Sequence, residues 1–259
     1  MKRKMNIRTA YVPVRLIIYS LLPLMAAGLI AFASSSCTSE DYRTGDGDYS
    51  YYEAEMALLS LSDSLINEAE LDDGRKLELA SPLKSSLLRK NFKQSIVGDS
   101  CRLMLYYNKG IETATTVKAT EVRGANQVMM PRIALADTLK SPVKTDPLNV
   151  ISSWKSKNGG FYNYNISVKA GVADGEPQSQ AIGFVCDSVT VSENNETVVH
   201  LRLAHDQKDV PQFYSVEAFL SISRIQIASL IEHYGVVPAA TVKVNLTTNT
   251  YQGLKTIVL

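Results

Sequence analysis

The sequence predicts an all-β fold in two parts, a small barrel and then a β-sandwich, behind an N-terminal export leader. Three observations carry this. Short apolar runs, many alternating with period two, recur from about residue 51 to residue 246 between clusters of Gly, Asn, Asp and Pro, which is strand-and-turn patterning. Only Pro82–Phe92 and Ile225–Tyr234 have apolar spacing open to a helix. The first 36 residues differ in kind from the rest: Lys2, Arg3, Lys4, Arg8 and Arg15 precede an almost wholly apolar run from Leu16 to Ala33, with no acid.

A basic start, an apolar run and small residues at its end describe a signal peptide. The run closes on Ser34-Ser35-Ser36-Cys37. Small residues before a lone Cys resemble a bacterial lipobox, with Ser34 where Leu is usual. Residues 1–36 are therefore read as a lipoprotein signal peptide, and Cys37 as the lipid-attachment residue and the link to a membrane. Cleavage after Ala31-Phe32-Ala33, an A-x-A site, is the alternative and would release an unlipidated chain. A retained helix is a third reading, because the run approaches spanning length, although Pro23 interrupts it. Residues 37–50 are polar, with Gly45 and Gly47, and read as a flexible tether.

Without the leader the chain carries 22 basic and 26 acidic residues, a net charge of −4 before the termini are counted. No basic face stands out, so nucleic acid is not an expected partner. Cys101 and Cys186 fall in different predicted domains and read as buried free thiols.

Residues 51–135 are read as an OB-like β-barrel domain. Leu65–Leu71 and Arg75–Ala80 flank Asp72-Asp73-Gly74, and Asp-Gly supplies the positive φ a tight hairpin needs. Pro82–Phe92 places Leu83, Leu87 and Leu88 for a short helix. Cys101–Asn108 is expected to turn at Asn108-Lys109-Gly110, Thr113–Val122 to turn near Gly124, and Gln127–Leu135 to end the group. Several short strands with one helix suit a small barrel. Residues 136–149 contain Pro142 and Pro147, lack periodicity and read as a linker.

Residues 150–259 are read as an immunoglobulin-like β-sandwich. Val150–Trp154 is a strand. In Phe161–Lys169, Tyr162, Tyr164, Ile166 and Val168 form one face. Ala181–Cys186, Val189–Ser192, Thr197–Leu203, Tyr214–Ser221 and Thr241–Leu246 continue the pattern; strands at this spacing argue a sandwich. Ile225–Tyr234 is open between a strand end and a short helix.

Chemistry-bearing patterns are sparse. His200 and His205 straddle a strand end, with Asp206 and Asp209 nearby, and lack the spacing of a metal site; His200 is read as solvent-facing on the strand and His205 as part of the polar loop after it, and no metal or cofactor is expected. There is no GxSxG and no Gly-rich phosphate loop, and the chain reads as non-enzymatic. Tyr162 and Tyr164 fit the core. Phe161, on the opposite face beside Gly159-Gly160, is the candidate ligand-facing aromatic for a protein or glycan ligand.

Ile151-Ser152-Ser153-Trp154, Phe161-Tyr162-Asn163-Tyr164, Leu201-Arg202-Leu203-Ala204-His205-Asp206, Phe213-Tyr214 and Phe219-Leu220-Ser221-Ile222 together resemble the C-terminal sandwich of NigD-like lipoproteins of Bacteroidetes. The part before residue 136 is similar in layout to that family's N-terminal OB-like domain. The resemblance implies a lipid-anchored protein of the outer membrane; the acidic pair Glu40-Asp41 resembles a signal for export to the cell surface. It supplies no catalytic residues. A fimbrial-type structural subunit, or a glycan hydrolase with two facing carboxylates, are the alternatives in other classes.

Overall fold

The barrel sheet runs on into the sandwich through a strand pairing, and this junction governs the architecture. The computed structural model describes residues 52–173, 176–177 and 180–259. The leader, Cys37 and the tether lie outside the described residues.

The first part is built from β1 (Tyr52–Ser60), β2 (Leu65–Leu71), β3 (Lys76–Lys84), β4 (Ile96–Val97), β5 (Ser100–Glu112) and β6 (Thr116–Met129). β1 pairs antiparallel with β2 and β5, β2 antiparallel with β3, and β3 parallel with β6. The antiparallel pairing of β5 with β6 closes a five-stranded barrel. Helix α1 (Ser85–Asn91) lies between β3 and β5 and plugs the core with Leu88. Alternation along the strands fills the interior: Leu59, Leu71, Leu77, Leu103, Leu105 and Tyr107 are fully buried.

The Asp72-Asp73-Gly74 hairpin forms as expected, with Gly74 at φ +88° and its N–H donating to the Leu71 carbonyl at 2.9 Å. Two other glycines behave differently. Gly110 does not turn the chain: β5 runs on to Glu112 through register shifts against β6. A Cβ at Gly110 would sit 2.9 Å from Thr120 Cγ2 and 3.0 Å from the Lys118 carbonyl oxygen, so a bulge, not a turn, requires this glycine. Gly124 lies inside β6 opposite Tyr106, beside another shift. These bulges bend two long strands around the barrel.

The second part comprises β7 (Ile133–Leu135), β8 (Asn149–Lys155), β9 (Phe161–Ala170), β10 (Val172–Ala173), β11 (Glu176–Pro177), β12 (Ala181–Val191), β13 (Glu196–Asp206), β14 (Tyr214–Ser223), α2 (Arg224–His233), β15 (Thr241–Thr250) and β16 (Gly253–Val258). The barrel sheet continues past β6 through β14, β9 and β8, because the end of β6 pairs in parallel with β14 at Val128 and Met129. A second sheet, in the order β16-β15-β13-β12-β7, packs over it. Tyr162, Tyr164, Ile166 and Val168 meet Phe184, Val199, Leu201, Leu203, Val244 and Leu246 in one apolar core. The two predicted segments around Cys186 are one strand, β12, bulged between Cys186 and Ser188. Ile225–Tyr234 resolves as helix α2, and β16 was not foreseen.

Residues 136–149 are stitched to the sandwich. Thr145 bridges to His205, the Asp146 N–H donates to the His205 carbonyl at 2.8 Å, and the Leu148 N–H donates to the Asn249 carbonyl at 3.1 Å. Leu148 is fully buried. Backbone with prolines carries no periodicity, yet the Asp146 and Leu148 amides find sheet partners here.

Candidate ligand groove

Helix α2 begins where β14 ends. Ser223 caps it: its hydroxyl accepts from the Gln226 N–H at 3.2 Å, and Gln226 Oε1 accepts from the Ser223 N–H at 3.0 Å, a reciprocal capping box. Gln226 also donates to the Pro131 carbonyl at 3.0 Å. Ile227, Leu230 and Ile231 turn into the sandwich core at helical spacing. Gly235, at φ +64°, ends the helix and redirects the chain into an apolar stretch, Val236-Val237-Pro238-Ala239-Ala240. The Ala239 N–H donates to Thr197 Oγ1 at 2.8 Å and fixes that stretch away from α2.

Between them lies a groove of about 790 Å³, within the range of small-ligand sites. Tyr162, Ile227, Ile231, Val236 and Val242 are among its apolar lining residues; Lys155, Arg224 and Glu232 are its charged ones. Val237, also on the lining, is 84 % exposed. Lys155 Nζ stands 5.1 Å above the Tyr162 ring centroid, a cation–π contact. Among the described residues, Lys155, Arg224 and Glu232 make no ion pair.

The wall formed by the β8–β9 turn is held on three sides. Internally, Ser156 and Asn158 bond to the turn's own amides: the Phe161 N–H donates to Ser156 Oγ at 2.9 Å and the Gly160 N–H to Asn158 Oδ1 at 2.9 Å. Toward the barrel, the Asn158 N–H donates to the Asp72 carbonyl at 3.0 Å and its side chain to Glu70 Oε1 at 2.9 Å. Toward α2, the Arg224 N–H donates to the Gly160 carbonyl at 2.8 Å. The barrel hairpin thus positions one side of the groove.

Behind the turn lies a buried polar network that sequence reasoning missed. Arg102, on the outer face of β5, is 0 % exposed. It donates to Ser221 Oγ at 2.9 Å, Asp72 Oδ1 at 2.6 Å and Asn163 Oδ1 at 3.0 Å, and Asn163 donates to Asp72 Oδ2 at 3.0 Å. Burial lowers the Arg102 pKa, against the opposing pull of Asp72. Asp72 belongs to the barrel hairpin, while Asn163 and Ser221 lie on β9 and β14, so the network joins barrel to sandwich.

Phe161 belongs to this joint and not to the surface. It is 7 % exposed, and the Arg102 guanidinium carbon sits 3.7 Å from its ring centroid. The start of the β9 face opposite the sandwich core, at Phe161 and Asn163, is covered by the barrel, which alternation alone does not reveal. Among the described residues the most exposed aromatic is Phe213, at 77 %; its N–H donates to the Ala170 carbonyl at 3.0 Å, at the end of β9 remote from the groove. His205 lies within β13 and not in a loop after it: it is 1 % exposed, with its ring nitrogens 3.0 Å from the Asp146 carbonyl oxygen and 2.7 Å from Gln180 Oε1. His200 contacts Thr190 Oγ1 at 3.0 Å. Among the described residues no three His, Cys, Asp or Glu side chains converge as metal ligands. Cys101 and Cys186 are free and buried, and burial pushes each thiol up to about 11.

A five-stranded barrel continuous with a sandwich defines a class of two-part all-β proteins, and solved structures of that shape exist. The chain is similar to a NigD-like immunity protein from Bacteroides caccae (18 % identity, TM-score 0.51, covering 80 % of this chain and 91 % of that one). It is also similar to a candidate lipoprotein from Bacteroides fragilis (11 %, TM-score 0.54, 80 % and 96 %) and a candidate toxin-related protein from Parabacteroides distasonis (15 %, TM-score 0.52, 80 % and 92 %). These likenesses establish a shared fold, the one the NigD-like resemblance implies. No protein-family profile matches the chain, and no curated protein matches it.

Proposed function

We propose that this chain is a non-enzymatic binding protein, lipid-anchored through Cys37 in the outer membrane and exposed at the cell surface, that takes its ligand in the groove beside α2. The observation that carries the binding reading is the groove itself: an apolar lining and charged groups, walled by a turn that hydrogen bonds already fix. A preformed site avoids the ordering cost of binding. The lipobox-like Ser34-Ser35-Ser36-Cys37 and the shared fold with a candidate lipoprotein support the anchor.

We read the barrel as OB-like. Its parallel β3–β6 pair and the helix between its third and fourth strands, β3 and β5, support that. The second part is read as an immunoglobulin-like sandwich. On the outer β2–β3–β6 face Lys76 and Lys118 are paired with Glu68 and Glu78, so these cations are not free for phosphates, which supports the reading of no nucleic-acid partner.

Two measurements test this. Cells fed an alkyne fatty acid should label the wild-type chain and not Cys37→Ala; an unlabelled wild-type chain beginning at Ser34 would overturn the anchor. The neutral dye N-phenyl-1-naphthylamine should brighten on the mature chain and lose that response in Ala228→Trp, which places an indole in the groove. Equal brightening in both would remove the groove from the function.

A further inference from the structure

Resting on the groove reading, we infer that the ligand is a small anionic amphiphile, an alkyl chain ending in a carboxylate, with its chain on the floor and its head between Lys155 and Arg224. Three observations favour this chemistry. The apolar lining, with Tyr162, Ile227, Ile231, Val236 and Val242, is mostly aliphatic, which suits an alkyl chain and offers little stacking surface to a sugar. The charged lining residues are two cations and one carboxylate, Glu232, and neither cation is spent in an ion pair among the described residues. An anion therefore gains charge-assisted hydrogen bonds without breaking existing ones.

The third observation concerns the backbone. The N–H groups of Arg224, Val236 and Ala239 along the walls already donate to Gly160, Ile231 and Thr197. A peptide laid here would bury amides against donors that are taken, at the cost of unsatisfied polar groups. An alkyl chain carries no such groups.

Lys155 is placed for this role by β8, whose register sets it opposite Tyr162. Arg224 is placed by the first turn of α2, whose N–H is tied to the same β8–β9 turn. Glu232, two turns along the helix, repels a second anionic group, so the site favours one head group over a dianion.

The test is displacement of N-phenyl-1-naphthylamine from the chain beginning at Thr38, which keeps every described residue and needs no detergent. Dodecanoate and dodecyltrimethylammonium are titrated below their micellar concentrations and dodecanol below its solubility limit. Dodecanoate should displace the dye at a concentration roughly tenfold below that of dodecanol, the gain from one charge-assisted bond. The cationic amphiphile should be the weakest. In Lys155→Gln/Arg224→Gln the dye should still bind while dodecanoate and dodecanol become equivalent, and Glu232→Gln should strengthen dodecanoate binding alone. Equal displacement by dodecanoate and dodecanol in the wild type, or an anion preference that survives in the double variant, overturns the inference while leaving the groove reading intact. A dye that never binds the wild type overturns the groove reading itself.

Discussion

Arg102 shows how one side chain joins two layers. A guanidinium with no exposure needs acceptors, and Asp72, Asn163 and Ser221 supply them to its Nε and Nη2 from three different strands or turns, while Nη1 has no partner among the described residues. Arg102→Met leaves the Asp72 carboxylate facing Asn163 alone and should cost about 3–5 kcal/mol in urea unfolding, as for other broken buried pairs. The Arg102→Met/Asp72→Asn double variant should lose clearly less than the sum of the two single losses, since removing both charges leaves neither stranded. At the two cysteines burial does the opposite work, holding the proton on. Each thiol rises from 9.0 to about 11 on folding, so the folded state keeps its proton to higher pH than the unfolded chain. The stability this contributes is full below pH 9 and drains as pH climbs through about 11. Native protein at pH 8 should resist iodoacetamide, and both thiols should react once the chain is unfolded. Modification of either thiol in the native state would contradict their burial.

At the scale of elements, the groove depends on how α2 starts. Ser223→Ala removes the hydroxyl that accepts from Gln226 and should destabilise by about 1 kcal/mol, with weaker dye binding as the Arg224 end frays. Gly110→Ala should cost more than an ordinary strand substitution, because the added methyl meets the Lys118 carbonyl as well as Thr120; thermal melting compares the two. The same elements show what is legible in a sequence. Asp72-Asp73-Gly74 is readable because a two-strand flank and an Asp-Gly pair specify a hairpin. Gly110 and Gly124 are misread as turns because a bulge and a turn ask for the same residue, and only the partner strand tells them apart. Period-two alternation places Tyr162, Tyr164, Ile166 and Val168 in the core correctly. It cannot say that the start of the other face of β9 meets the barrel, so Phe161 and Asn163 look exposed when they are not. The groove was unreadable for a related reason: Lys155 is far in sequence from Arg224 and Val237, and each is individually ordinary.

For the whole molecule, the described residues lie in one compact unit, and the sheet passes from barrel to sandwich without a break. The Arg102 network and the Asn158–Asp72 bond brace that joint, and the turn they hold is a wall of the groove. Barrel and sandwich should therefore unfold together, and a ligand in the groove should stabilise both. The direct measurement follows unfolding in urea by two local probes on the chain from Thr38: alkylation of Cys101, in the barrel core, and of Cys186, in the sandwich core. The account predicts coincident midpoints, raised equally by dodecanoate. Separate midpoints, with dodecanoate moving only that of Cys186, would contradict the claim that the barrel holds the groove in shape.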